Sequence, residues 1–393
     1  MKWTDELISL LGILVESGLT WNEISEDLNY EFGVETTANS CRKAYYRYKD
    51  IEFNDDDYLK NAITARMAKK RAGMELKKNN ILLDKIQAQN EFLSEFKKTL
   101  KDVKFTKPKV VKRKKNRTKK KMTTEHMISD LHYGKLTDRF NYKVARQRMQ
   151  KLAEVTLEEF DRYSKIYDIE KSIVFLGGDI IEGATIHGVE SRMCSEASNA
   201  DQIKNAIISL YEDYIVPIVS YGHKVKVVAI CGNHDRDGKD KTYNNPGKEA
   251  FTWTIYHTLA HLCKTVGIKN VEFVIPKGVY HVEDVYGSNV LYEHGDHIKG
   301  RTKGAYETHM HKRGNQIGDI INFLRCGHFH ERCEYGRGRI IINPSLPGQD
   351  SYSEIHGYDS EAAQTINYYV KTDKRINPFY HSFCVYLDED ANG

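Results

Sequence analysis

Five short apolar segments between residues 126 and 330 of this chain each end in side chains that can bind a metal ion. Their apolar residues and following glycines predict β-strands that stop at turns. The carboxyl ends of strands in an open α/β sheet form the edge where ligands bind, so the side chains are expected to meet there. The segments are HMISDLH with Asp130 and His132, SIVFLGGDIIEG with Asp179, KVKVVAICGNHD with Asn233, His234 and Asp235, NVLYEHGDH with His294, and INFLRCGHFH with His328 and His330.

Two of these segments carry their polar residues two positions apart. Side chains alternate along an extended strand, so Asp130 should lie beside His132, and His328 beside His330, on one side of the chain. Each pair could then bind one ion. Glycine next to these residues permits sharp turns and close backbone approach. Such glycines occur at positions 178, 232, 295 and 327.

Each motif alone has an ordinary explanation. A single histidine at a strand end is more often a hydrogen-bonded core or surface residue, and Gly-Asp or Gly-Asn after a strand is common in turns. Asp235 could also be a plain helix cap. Five such motifs in succession, all with nitrogen or oxygen donors, favour a metal site over coincidence.

The ordered motifs D-x-H, GD-x-x-E, GNHD, His-Gly and GH-x-H, over roughly residues 125–350, resemble the calcineurin-like metallophosphoesterase superfamily. The resemblance implies an α/β fold of two packed β-sheets flanked by helices, and two bound divalent ions. By this resemblance one ion is held by Asp130, His132 and His330, and the other by Asn233, His294 and His328. Asp179 would bridge the two. His234 would protonate the leaving oxygen, and Asp235 would orient the His234 ring.

A pair of divalent ions can activate a bridging water as hydroxide and stabilise charge in phosphoryl transfer. Nitrogen and oxygen donors without thiolates suit manganese, with iron or zinc as alternatives. Glu182 stands where many relatives have aspartate, and Cys231 stands where protein phosphatases of the superfamily have arginine. These departures weaken a Ser/Thr phosphatase assignment, and GHFHE and SDLHYGK look closer to the nuclease branch typified by SbcD. His187 could contact a phosphate and Tyr352 could stack on a base.

The first 55 residues predict three short helices that resemble the Myb/SANT-like or wider helix-turn-helix class. Thr20 and Glu23 form a capping box before the second helix, and Gly33 ends it. In that class the third helix enters the DNA major groove. The alternative is a packing or protein-binding module with a solvated basic face. The residues predicted to approach DNA are Arg42, Lys43, Tyr46 and Arg47.

The predicted phosphoesterase domain, residues 123–393, is joined to this module by a helical and basic region. Residues 56–104 predict a long helix, and a heptad pattern over residues 82–103 could form a homodimer or pack on the neighbouring domain. Residues 105–122 predict a linker, since ten of the fifteen residues from 107 to 121 are Lys or Arg. Such a charge run is extended until it meets an anion, which favours nucleic acid phosphates or a nuclear localisation signal.

Composition places the chain among globular intracellular proteins. It has no apolar run of about 18 residues and no signal peptide, so we expect a cytoplasmic protein of a bacterium or phage-infected cell, without membrane association. Seven scattered cysteines indicate reduced thiols. The sequence therefore predicts a metal-dependent phosphodiesterase acting on DNA, with RNA as an alternative substrate. The competing hypotheses are a phosphatase or nucleotide hydrolase, and a DNA-binding scaffold with a degenerate site.

Overall fold

A computed structural model of the chain describes residues 3–50, 103–113, 118–183, 195–237, 244–349, 361–371 and 377–388, together with scattered positions between 72 and 87 and residue 354. The chain divides into two compact units, Met1–Glu91 and Phe92–Gly393. Each unit has its own hydrophobic core. No helix in the described ranges is long and apolar enough to cross a membrane.

The N-terminal unit contains the three predicted helices: α1 (Asp5–Glu16), α2 (Trp21–Phe32) and α3 (Ala38–Tyr48). The predicted capping box is confirmed, because Thr20 and Glu23 each accept a hydrogen bond from the other's backbone N–H. Gly33 ends α2 in the left-handed conformation, at φ 60°. The small core is built mainly from Leu10, Leu11, Leu14, Ile24, Leu28, Cys41 and Ala44.

The segment that follows this unit is described only at scattered positions. Those between 72 and 87 are helical, in line with the long helix predicted from the sequence. Most of the heptad stretch 82–103, and with it the predicted dimer contact, lies outside the described residues.

The larger unit begins with a six-stranded sheet in the order β11-β10-β1-β2-β3-β4. Strands β1 to β4 are parallel to one another, and β10 is antiparallel to both β1 and β11. The strands are β1 (Lys121–Ile128), β2 (Asp168–Leu176), β3 (Lys224–Ala229), β4 (Val271–Val274), β10 (Ala363–Val370) and β11 (Phe379–Tyr386).

The second sheet has five strands in the order β5-β6-β7-β9-β8. Its central strands β6, β7 and β9 are parallel, so their carboxyl ends reach one edge. The strands are β5 (Tyr280–Val285), β6 (Ser288–Glu293), β7 (Phe323–Cys326), β8 (Cys333–Tyr335) and β9 (Ile340–Ile342). Two sheets flanked by helices confirm the fold class predicted from the sequence.

Helices cover these sheets. A run of three helical pieces follows β2, consisting of α5, a π-helical turn at Leu210–Ile215, and α6. The helices are α4 (Tyr142–Ser164), α5 (Asn199–Ser209), α6 (Val216–Ser220), α7 (Phe251–Thr265) and α8 (Lys303–Ile317). Their apolar faces pack on the six-stranded sheet in the largest core cluster, or, for α8, on the second sheet.

The basic segment predicted as a linker is docked on this unit. Residues 103–113, which we call the basic strap, have no regular secondary structure, and this includes residues 103 and 104 at the end of the predicted long helix. Thr106 N–H donates to Glu212 Oε1 at 2.7 Å, and Val111 N–H donates to Ser220 O at 2.9 Å. Phe105 packs edge-on against the ring of Tyr211. Residues 114–117 lie outside the described residues.

Two buried histidines are connected by a series of side-chain hydrogen bonds between β1, β2 and the turn before β3. His126 Nε2 and His223 Nε2 are linked through the hydroxyls of Thr124 and Ser172, with successive distances of 2.9, 2.6 and 2.6 Å. Tyr214 OH lies 2.9 Å from His126 Nδ1. Burial, with the charge of the other histidine, lowers the pKa of His126 to about 3. Burial, with the charge of Arg113, lowers the pKa of His223 to about 3.

These histidines predict a loss of stability in mild acid. The unfolded chain takes up a proton at each histidine near pH 6.5, whereas the folded protein does so only near pH 3. The free energy of unfolding should therefore be unaffected above pH 6.5 and fall below it, by about 1.4 kcal/mol per pH unit for each histidine. The measurement is the free energy of unfolding in urea at pH 7.5 and at pH 5. The decrease between these two pH values should be about 2 kcal/mol smaller in His223→Gln than in the wild type.

The matched control is His311→Gln, because His311 is exposed on α8. This variant should keep the wild-type dependence on pH. An unchanged pH dependence in His223→Gln would show that His223 does not contribute to acid sensitivity.

Candidate metal centre

The seven predicted metal ligands follow the carboxyl ends of five strands, as the sequence predicted. Three of these strands belong to the first sheet and two to the second, so the residues meet where the edges of the two sheets adjoin. Asp130 and His132 follow β1, Asp179 follows β2, Asn233 follows β3, His294 follows β6, and His328 and His330 follow β7. Among the described residues, groups able to hold a metal ion are Asp130 with His132 and His330, Asp179 with His294 and His328, and His132 with Glu182 and His234.

The backbone at these positions differs from the extended geometry expected from the two-residue spacing. Asp130, His132, His328 and His330 have φ between 48° and 72°, and Asp179 has φ 49°. These are five of the eight non-glycine residues with positive φ in the described chain. Side chains reach the site from left-handed turns beyond the strands, which corrects the strand-alternation argument. Such conformations cost about 1–3 kcal/mol each and cluster at functional sites.

Gly327 allows the loop after β7 to lie directly on Asp130. A Cβ at position 327 would lie 2.0 Å from Asp130 Oδ2 and 2.4 Å from Ser129 Oγ. The Asp130 carboxylate is also held by the His328 backbone N–H, at 2.9 Å from Oδ1. No side chain larger than hydrogen fits at position 327 without moving this carboxylate.

Gly327→Ala is therefore expected to displace Asp130 and to reduce metal-dependent activity by about 10²-fold, the typical effect of a shift near 1 Å in a catalytic site. The measurements are calorimetric Mn²⁺ binding and steady-state hydrolysis of a chromogenic phosphodiester. Gly304→Ala is the control, because a Cβ there meets nothing within 4 Å on helix α8. Wild-type metal affinity and rate in Gly327→Ala would contradict the assignment of Asp130.

The first ligand group is arranged around two histidine rings that face each other. His132 Nε2 and His330 Nε2 are 3.1 Å apart, and His330 Nε2 is 3.4 Å from Asp130 Oδ1. His132 Nδ1 donates to Glu182 Oε2 at 2.7 Å, which leaves the Nε2 lone pair directed at the group. Burial lowers the pKa of His132 to about 4, against the opposing charge of Glu182, so the ring is neutral at pH 7.

The second group is held in a similar way. His294 Nδ1 donates to Gly177 O at 2.8 Å, and His294 Nε2 lies 3.0 Å from Asn233 Oδ1 and 3.1 Å from Asp179 Oδ2. Burial lowers the pKa of His294, but the charge of Asp179 outweighs it and raises the pKa to about 10. The space beside Asp179 thus favours a positive charge. Burial lowers the pKa of His328 to about 4, so that ring is neutral.

These features fit a pair of divalent cations. Buried ring nitrogens and carboxylate oxygens converge without a lysine or arginine among them, and the outer nitrogens of His132 and His294 are each bonded to an acceptor. Asp179 lies beside both groups: its backbone O accepts from His132 N–H at 3.0 Å, and its carboxylate lies beside His294. A bridging role for Asp179 remains a prediction. The donors are nitrogen and oxygen only, which suits manganese, iron or zinc.

Asp235 has a different role from the one expected. Its carboxylate accepts backbone N–H groups of Gly232, Asp179 and Ile180 at 2.6, 2.9 and 2.9 Å. It therefore joins the loops after β2 and β3 and does not orient the His234 ring. That ring is positioned by Glu182, whose backbone O lies 2.8 Å from His234 Nδ1. Burial lowers the pKa of His234, but the carboxylates of Asp179 and Glu182 outweigh burial and raise it.

Glu182 is the site residue whose role the sequence left unassigned. It contacts His132 through its carboxylate and His234 through its carbonyl, so one residue fixes the orientation of two rings. Burial raises the Glu182 pKa, but the charge and hydrogen bond of His132 outweigh it and lower the pKa to about 2. The sequence feature that could have identified Glu182 as a site residue was its position three residues after Asp179 in the GD-x-x-E motif.

The remaining predicted site residues are two possible substrate contacts and four possible DNA contacts. His187 and Tyr352 lie outside the described residues. The four predicted DNA contacts lie in the N-terminal unit on α3, and all four side chains are exposed: Arg42, Lys43, Tyr46 and Arg47. Cys41 on the same helix is buried, so the basic face is the solvent face.

No protein-family model matches the chain, and no curated protein matches it. Several solved structures align with it. Zn²⁺-bound Vps29 from Entamoeba histolytica is 12% identical, with a TM-score of 0.27, over 67% of this chain and 99% of that one. A predicted phosphoesterase from Streptococcus pneumoniae is 13% identical, with a TM-score of 0.26, over 67% and 98%. An archaeal phosphodiesterase is 12% identical, with a TM-score of 0.29, over 67% and 99%. These similarities are too weak to assign an activity.

Proposed function

We propose that this protein is a divalent-metal-dependent phosphodiesterase that hydrolyses DNA. The observation that carries the proposal is the meeting of seven nitrogen and oxygen donors that follow five strands, with the rings of His132 and His294 held by hydrogen bonds. The resemblance of the five motifs to calcineurin-like metallophosphoesterases supports the same reaction. The basic segment and the exposed basic face of α3 support a nucleic acid substrate.

The proposed ligands are Asp130, His132 and His330 for one ion, Asn233, His294 and His328 for the other, and Asp179 for both. When bound, such an ion pair activates water as a nucleophile and stabilises charge on the phosphoryl oxygens. Bulk water has little access to four of the proposed ligands, because Asp130, His132, Asp179 and His294 are each at most 1% exposed. Charges act more strongly in such a buried site than in water.

His234 is the proposed general acid. Its Nδ1 is held against Glu182 O, so Nε2 is the nitrogen that can exchange a proton with the leaving oxygen. Its ring centroid is 4.7 Å from that of His132, beside the first ligand group. Asp235 acts indirectly, by fixing the backbone from which Asp179 and His234 project.

The test is hydrolysis by the purified full-length chain with Mn²⁺, using end-labelled linear DNA, circular DNA and bis(4-nitrophenyl) phosphate. We expect cleavage of DNA and of the diester, both abolished by EDTA and restored by Mn²⁺. End-labelled and circular substrates separate exonuclease from endonuclease action. Intact DNA with every metal, together with rapid hydrolysis of a phosphomonoester, would replace the proposal with a phosphatase.

A further inference from the structure

The basic strap lies at the end of the large unit opposite the metal centre. Val111 is bonded to Ser220, the last residue of α6, just before β3. A Cβ on Gly222 would lie 1.9 Å from Val111 O, so the strap rests directly on this turn. The chain then continues past the start of β2, where Asp168 N–H donates to Lys120 O at 2.9 Å. These contacts are at the amino-terminal ends of the strands.

The metal ligands follow the carboxyl ends of those same strands. Strand β1 alone, eight residues from Lys121 to Ile128, separates the two edges. At ~3.3 Å per residue this is about 25 Å. The end of the strap at Val111 and Lys112 is therefore too far away to contact the phosphodiester being cleaved.

The strap is attached through its backbone, through apolar groups and through Arg113, whose guanidinium lies 4.4 Å from the centre of the Tyr221 ring, which leaves its lysines facing solvent. Its backbone bonds to Glu212 and Ser220, and Phe105 packs on Tyr211. Lys107, Lys109 and Lys112 are exposed, and none forms an ion pair within the described ranges. Their charge is available to a partner.

Other exposed lysines extend this charge along the amino-terminal edge. Lys224 begins β3, and Lys371 N–H donates to Lys121 O at the start of β1. Acidic groups nearby are fewer. Glu170 is paired with Lys121 at 2.8 Å, and Asp161 accepts from Tyr221 OH. Asp168 begins β2, and Glu212 accepts from the strap backbone. The exposed lysines of this edge outside the strap are Lys120, Lys165, Lys224, Lys269 and Lys371.

We propose that the basic strap and this lysine-lined edge form a second binding surface for the phosphate backbone of duplex DNA, remote from the metal centre. This inference rests on the proposed nuclease function and adds the path of the substrate. Point charges on flexible side chains neutralise phosphates without reading sequence. Single-strand binding relies on exposed aromatic side chains. Phe105, the one aromatic residue of the strap, is instead packed on the core, so the strap offers no ring for a base to stack on. Tyr380, at the start of β11, is the exposed aromatic residue of the adjoining edge. The strap itself therefore favours duplex DNA.

The separation of the two surfaces sets a minimum substrate length. About 25 Å corresponds to about 7 base pairs at ~3.4 Å per step, so a shorter duplex cannot occupy both. The strap should promote cleavage of long DNA and have no effect on small diesters.

The test compares the wild type with the triple variant Lys107→Gln, Lys109→Gln, Lys112→Gln, each also carrying Asp179→Asn for binding measurements. For a duplex of about 30 base pairs, the strap variant should bind at least about tenfold more weakly. The slope of log K against log salt concentration should fall by about 2 to 3, since each phosphate contact contributes about 0.9. The control is Lys277→Gln, Lys303→Gln, Lys312→Gln, three exposed lysines outside this edge. It makes the same charge change and should keep the wild-type slope.

With an active metal centre, the strap variant should cleave bis(4-nitrophenyl) phosphate and a hairpin of about six base pairs at the wild-type rate, and long duplex more slowly. Equal binding by the strap variant and the wild type would overturn the proposal. So would tighter wild-type binding to single-stranded RNA or to phosphatidylglycerol vesicles than to duplex DNA. A strap effect on binding without DNA cleavage by any variant would support the surface and refute the nuclease function.

Discussion

Asp179→Asn is expected to lower the metal-dependent rate of phosphodiester hydrolysis by about 10³-fold or more. Asp179 is 1% exposed and lies between the two ligand groups, with its carboxylate 3.1 Å from His294 Nε2 and its backbone O bonded to His132 N–H. The substitution removes the central negative charge that would face both cations. Losing about 4 kcal/mol of transition-state stabilisation corresponds to about a 10³-fold decrease in rate.

The same substitution should preserve the fold, which separates a catalytic effect from a structural one. Asparagine keeps an oxygen at Oδ1, where Asp179 accepts the His234 N–H at 2.8 Å. Mn²⁺ at about 100 times its Kd should stabilise the wild type by about 2.7 kcal/mol, and the variant much less. The measurement is the Tm with and without Mn²⁺, beside the hydrolysis rate.

Asp284→Asn is the matched control, because Asp284 is exposed at the β5-β6 turn. It should retain the wild-type rate and the Mn²⁺-dependent rise in Tm. A wild-type rate in Asp179→Asn would refute the proposed metal centre.

Arg325→Met is expected to lower the free energy of unfolding by about 3–5 kcal/mol, because it leaves a buried carboxylate without its cation. Arg325 and Glu125 are both 0% exposed between the two sheets, with Arg325 Nε 2.7 Å from Glu125 Oε2. Arg325 also donates to Tyr369 OH at 2.6 Å, and Glu125 accepts from Tyr292 OH. The network joins strands β1 and β7, which carry four of the predicted ligands.

The double variant Glu125→Leu, Arg325→Met tests the cause of this loss. Removing both charges should recover much of the stability, since apolar groups can replace a buried ion pair at little cost. Urea unfolding at pH 7.5 provides the measurement. Lys303→Met is the control, because Lys303 pairs with Glu307 at 3.8 Å on the surface and should contribute less than about 1 kcal/mol. A double variant as unstable as Arg325→Met would indicate that packing, and not the unpaired charge, causes the loss.

Much of the site could be predicted from sequence because each ligand is adjacent to a strand with its own apolar pattern. The structure ends the strands just before Asp130, Asp179 and His294, where the sequence predicted that they end. The orientation at those ends could not be predicted, since the left-handed backbone of His132 and His330 depends on neighbours far along the chain. The two-residue spacing identified the correct pairs for an incorrect geometric reason.

The supporting residues were harder to predict than the ligands. Asp235 stands next to His234 in sequence, yet its carboxylate turns to the backbone of Asp179 and Ile180. Glu182 holds His132, which is fifty residues away in the chain. Hydrogen bonds of this kind have no local periodicity, so sequence patterns do not identify the partner.

For the basic segment, the sequence predicted the kind of partner but not the position on the fold. Its ten cationic residues in fifteen indicate an anionic partner from composition alone. Its position on the turn at Gly222 depends on Ser220 and Tyr211, which are more than a hundred residues further along the chain. The sequence alone therefore could not distinguish a phosphate contact beside the metal centre from one about 25 Å away.

The sequence by itself determined the five strands that lead to the site, the caps of the N-terminal helices and the identity of the donor atoms, because these depend on residues within a few positions of one another. Only the tertiary structure decided which donors share a group, which nitrogen of each ring faces inward, and which edge of the sheet carries the strap. Those features depend on how β1, β2, β3, β6 and β7 are brought together in two sheets, and that requires contacts between distant parts of the chain.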